Sequence, residues 1–119
     1  MVDYTIEKPW EKLKEIIEAG HRSELQVFLQ GLDHGEMARA ISRLAPEEQR
    51  KLLLLLGPSV AADVIEDVPD EQAANMIENL SPGQAAEILD EVLSDQKADL
   101  LGQLESEDAE AILQQMTPG

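Results

Sequence analysis

The sequence predicts an all-α chain, a solenoid of short αα-hairpins, on three observations. A twelve-residue apolar register runs along nearly all of it, proline recurs at the second position of that register, and no stretch shows the β-branched alternation of a strand. The register opens at Pro9 and closes at Met116, giving nine blocks that begin at Pro9, His21, Asp33, Ala45, Gly57, Pro69, Ser81, Leu93 and Glu105.

Each block is justified by the same four positions. The eighth is apolar throughout: Ile16, Phe28, Ala40, Leu52, Val64, Met76, Ile88, Leu100 and Ile112. The ninth is always Ile or Leu: Ile17, Leu29, Ile41, Leu53, Ile65, Ile77, Leu89, Leu101 and Leu113. The twelfth is apolar from Leu32 to Met116, with Gly20 in its place in the first block. The fifth is mostly Leu or Ala, and its polar exceptions are Gln49 and Lys97. These positions stand at i, i+3, i+4 and i+7, one face of an α-helix, so every block reads as one amphipathic helix of two to three turns.

The punctuation agrees with that reading. Pro46, Pro58, Pro82 and Pro118 fall at second positions, where a first helical residue needs no N–H. Ser81 and Thr117 precede prolines as N-caps, and Ser23, Ser94 and Ser106 are expected to cap their own helices. Glu47, Glu48, Glu71, Asp95, Glu107 and Asp108 crowd the block starts, where the helix dipole favours anions. A helix this short is marginal alone, so each must bury its stripe on its neighbours. Two blocks then form a hairpin of 24 residues, and hairpins stack. Paired alanines (Ala61 and Ala62, Ala73 and Ala74, Ala85 and Ala86) allow close approach. Gly102, inside a block, reads as another close-packing position. Trp10, with Tyr4, is expected to cover the open end of the stack.

The expected organisation is one domain over residues 1–119, with a tail at 1–8, helical blocks over 9–116 and the start of a linker or next element at 117–119. Charge divides it. The net charge is −16, but Met1 to Lys51 carries ten acids and eight bases, whereas Leu52 to Gly119 carries fifteen acids and Lys97 alone as a base. A polyanion of this kind is repelled by nucleic acid and by anionic lipid, and favours cations and basic proteins. No apolar run approaches the roughly 20 residues of a membrane-spanning helix. Without cysteine there is no disulfide framework or thiolate metal site.

Catalytic constellations are missing, so the chain is read as a binding or regulatory domain, not an enzyme. His21 and His34 fall near helix starts and outside any zinc spacing, and the glycines form no phosphate loop. A convex helical stack is expected to lack a cleft for split carboxylate pairs. The acids read better as cation ligands. Mg²⁺ demands oxygen, keeps several waters and uses one or two carboxylates. Asp95 and Asp99 are one turn apart on one helix, where their charges repel and a divalent cation would relieve them. Asp63, Glu87 and Asp99 share the seventh block position, and Asp63 and Glu87 lie two blocks apart, so hairpin stacking sets them along one side.

The stretches Ala61-Ala62-Asp63-Val64-Ile65, Gln84-Ala85-Ala86-Glu87-Ile88-Leu89 and Ala98-Asp99-Leu100-Leu101-Gly102-Gln103-Leu104 resemble the N-terminal cytosolic domain of MgtE-type magnesium transporters. The Leu13 to Gly20 and Ser23 to Leu32 helices extend the resemblance over about residues 10–116. It implies a right-handed superhelix that precedes paired CBS domains and a multipass channel domain of the same polypeptide, in a full-length homodimer. It implies a place on the cytoplasmic side of the cell membrane, in a segment that is itself soluble. It implies a magnesium sensor, in which Mg²⁺ bridges acids between this domain and the CBS domains and holds the pore closed. The acid of the Ala-Ala-acid-Val motif matches Asp63, and the two acids of the Ala-Asp helix match Asp95 and Asp99. Half of the bridging ligands lie on the partner domain, so Mg²⁺ is expected to act weakly on this domain alone. A related helical repeat serves assembly in flagellar motor switch proteins, which gives the alternative of a protein-interaction module.

Overall fold

The computed structural model describes residues 9–116. Tyr4, Thr117 and Pro118, with the expected tail and linker, lie outside the described residues. Among the described residues each block forms one helix: α1 (Pro9–Ala19), α2 (Arg22–Gln30), α3 (His34–Ser42), α4 (Pro46–Leu56), α5 (Pro58–Asp67), α6 (Asp70–Glu78), α7 (Pro82–Leu89), α8 (Ser94–Gln103) and α9 (Ser106–Gln115).

Local chemistry sets these boundaries. Pro46, Pro58 and Pro82 open their helices. Ser81 caps α7: its Oγ accepts the Gln84 N–H at 3.3 Å, and Gln84 Oε1 accepts the Ser81 N–H at 3.2 Å. Asp33 and Glu36 make the same reciprocal pair at the start of α3. Ser23, Ser94 and Ser106 do not cap. The N-cap residues there are His21, Leu93 and Glu105, so each serine already lies in the first turn and makes no capping bond. Gly57 alone joins α4 to α5, with φ +86° and ψ 162°, a conformation that side chains strongly disfavour. Arg22 Nη2 lies 3.3 Å from where a Cβ of residue 57 would stand.

Packing follows the stripe. From α4 onward each helix rests on the helix two places along: α4 on α6, α5 on α7, α6 on α8 and α7 on α9. This makes two rows. The molecule measures 53 × 24 × 22 Å. The short dimensions are two helices wide, at about 10–12 Å per helix. One apolar cluster runs continuously from Leu13 to Ile112 and takes in the six paired alanines. The stripe is not buried evenly to the end. Leu113 of α9 is 55% exposed, whereas Ile65 and Ile77 at the same block position are fully buried.

Side-chain amides fasten the rows. Gln49 Nε2 donates to the Ile41 and Leu44 carbonyls at 3.1 and 3.2 Å, which caps the end of α3. Gln72 Nε2 of α6 donates to the Ala38 carbonyl of α3 at 2.8 Å. Gln96 Nε2 of α8 donates to the Ile65 carbonyl and to Asp70 Oδ1, both at 3.4 Å. At the first helix, Trp10 is half-buried and the Arg43 guanidinium sits 4.9 Å from its ring centroid. Gly102 is exposed, with nothing within 4 Å of a Cβ placed there, so it is not a close-packing position.

Candidate functional site: an acidic surface and a cleft

Asp63 and Glu87 face outward because their neighbours face inward. Ala61, Ala62, Val64 and Ile65 are buried around Asp63, and Ala85, Ala86, Ile88 and Leu89 are buried around Glu87. The seventh block position is therefore the outer ridge of the helix. Since α5 packs on α7, these two acids stand on adjacent helices of one row. Asp95 and Asp99 stand on α8, in the row of α4 and α6. The structure thus pairs the four acids two by two and does not gather them.

The start of α8 is held by other acids. Glu66 Oε2 accepts the Leu93 N–H at 3.2 Å, at the positive end of that helix. Together with the Gln96 bonds, this fixes the first turn of α8, on which Asp95 stands. Asp63, Glu87, Asp95 and Asp99 are exposed, and among the described residues none has a hydrogen-bond or ion-pair partner. Carboxylate oxygens suit a hard divalent cation, and one or two per ion is the usual protein share for Mg²⁺. Among the described residues no three His, Asp or Glu side chains form a metal-binding group.

The expectation of a stack without a cleft does not hold. A cleft of about 270 Å³ opens between α2, the start of α3 and α5. Leu29, Leu32, Met37, Val60 and Val64 supply its apolar surface, and Gln26, Gln30, His34, Asp63 and Asp67 its polar one. His34 Nε2 lies 3.5 Å from Asp67 Oδ1. Asp67 was legible by the spacing that singles out Asp95 and Asp99, because it follows Asp63 by one helical turn. The cleft itself was not, since it depends on how far α2 stands from α5.

The fold and its acids define an all-helical domain with an anionic outer surface and no helix long and apolar enough to cross a membrane among the described residues. The family model for the MgtE intracellular N domain matches residues 32–119, and the chain belongs to that family. Among solved structures, the chain is similar to one described as the crystal structure of the soluble part of a magnesium transporter, at 21% identity and a TM-score of 0.43. That match covers 91% of this chain and 48% of the other, so the chain spans about half the length of that structure. No curated protein matches the chain.

Proposed function

We propose that this domain is the Mg²⁺-responsive regulatory domain of a magnesium transporter and docks through bridging Mg²⁺ onto CBS domains of the same polypeptide. One observation carries the reading: Asp63, Glu87, Asp95 and Asp99 are solvent-facing acids without partners among the described residues, in a region whose charge is almost wholly negative. Family membership supports it. The two rows of helices form a right-handed superhelical solenoid that presents these acids on the cytoplasmic side of the membrane. Each acid gives an ion one ligand, water gives others, and the partner's acids complete the shell. When Mg²⁺ falls, the facing acids repel and the domain swings away, because the ion binds only the compact state well. The domain acts by binding, not by catalysis.

Small-angle scattering tests this on a polypeptide that continues into a CBS region. Millimolar Mg²⁺ is expected to compact that longer chain and to leave the 119-residue domain nearly unchanged. A longer chain whose dimensions ignore Mg²⁺ would rule the sensor reading out.

A further inference from the structure

Docking through bridging ions draws on Asp63 alone among the groups around the α2–α5 cleft. We propose that this cleft is a socket for one arginine side chain, presented by a basic segment of a partner protein.

Size is the first argument. The cleft is half-open and holds about 270 Å³, at the small end of the roughly 300–1,000 Å³ of ligand pockets. It suits a single long side chain. The second argument is the wall. Leu29, Met37 and Val64 are buried and line it, and Val60 adds a half-buried apolar surface. An apolar wall accepts the methylene stem of arginine while the charged head stays at the mouth.

The third argument is the polar rim. Asp63 and Asp67 are one turn apart on α5, with Cβ atoms about 6 Å apart. Gln26 and Gln30 are one turn apart on α2 and line the same cleft. A guanidinium carries five N–H donors in a planar fork, enough to address both carboxylates and a glutamine carbonyl together. Lysine offers a point charge without that planar reach. Among the described residues no Lys or Arg lines the cleft, and the other titratable lining group, His34, lies beside Asp67 and leaves Asp63 without a partner. A free metal ion fits less well, because His34, Asp63 and Asp67 do not form a metal-binding group. The net charge of −16 draws a basic segment toward the domain in the first place.

The test titrates butylguanidinium into the ¹⁵N-labelled 119-residue chain in EDTA and follows amide shifts by NMR. Saturable shifts are expected at residues 26–37 and 60–67, with butylammonium binding at least fivefold more weakly. Val60→Phe fills the cleft but keeps every charge, so it separates a socket from general attraction to a polyanion. It should weaken binding at least fivefold. Asp67→Asn, a near-isosteric change at a partly exposed helix end outside the apolar core, should do the same. Shifts spread over α6 to α9 with a silent cleft would overturn the socket, as would binding that neither variant weakens. EDTA and the choice of Asp67 keep this outcome separate from Mg²⁺-dependent docking, which either result leaves standing.

Discussion

Gln72 of α6 donates its side-chain amide to the Ala38 carbonyl of α3 at 2.8 Å, across 34 residues of chain. The bond is partly buried and ties the first third of the stack to its middle. Gln72→Ala removes it without opening a core cavity. A net loss of about 1 kcal/mol is expected, the usual worth of such a bond. Urea unfolding should show a lower midpoint at an unchanged slope. An unchanged midpoint would mean that water replaces the amide at no cost.

Gly57 is the single-residue hinge between α4 and α5. Gly57→Ala places a Cβ at φ +86° and within 3.3 Å of Arg22 Nη2. Backbone in this region costs a non-glycine residue about 1–3 kcal/mol. Loss of stability in that range is expected, with helical content by circular dichroism retained below the transition. Stability equal to the parent chain would show that the hinge has another conformation open to it.

Gly102→Ala should act in the opposite direction. The residue is inside α8, exposed, and clear of neighbours. Alanine in a helix interior is worth about 0.5–1 kcal/mol over glycine. Thermal unfolding should therefore shift upward. A downward shift would restore the close-packing role that the sequence suggested.

Asp95→Asn with Asp99→Asn should leave helical content intact and, under the proposed function, weaken the expected Mg²⁺-driven compaction of a longer chain that continues into a CBS region. Both side chains are exposed and without a partner among the described residues, so the fold loses little beyond the favourable place of Asp95 in the first turn of α8. Unfolding of the double variant would recast the pair as part of the N-terminal support of α8.

The register made the helices legible because burial every three to four residues is written directly into residue type. Gln49 shows where that logic stops. It breaks the apolar fifth position, yet its amide is satisfied by Ile41, Leu44 and Asn79, partners that only the folded chain assembles. Leu113 shows the converse. It has the residue type of a buried position and is half-exposed, because its row has no further helix among the described residues. The acids follow the same division. That Asp63 and Glu87 face outward was readable from their block position, whereas the separation of Asp95 and Asp99 into the other row, and the support of α8 by Glu66, came from tertiary contacts. The serine caps failed by a register shift of one or two residues, a scale on which helix starts are set by backbone geometry more than by residue type.

From α4 onward, packing of each helix on its second neighbour leaves that part of the domain without a keystone. It is built as a ladder, in which stability accumulates rung by rung and no central residue holds the whole. Among the described residues the last rung, α9, is gripped from one side and carries its bare leucine outward. In the 119-residue chain, loss of order is therefore expected to begin there and to climb inward one helix at a time, while the end that holds Trp10 against Arg43 stands longest.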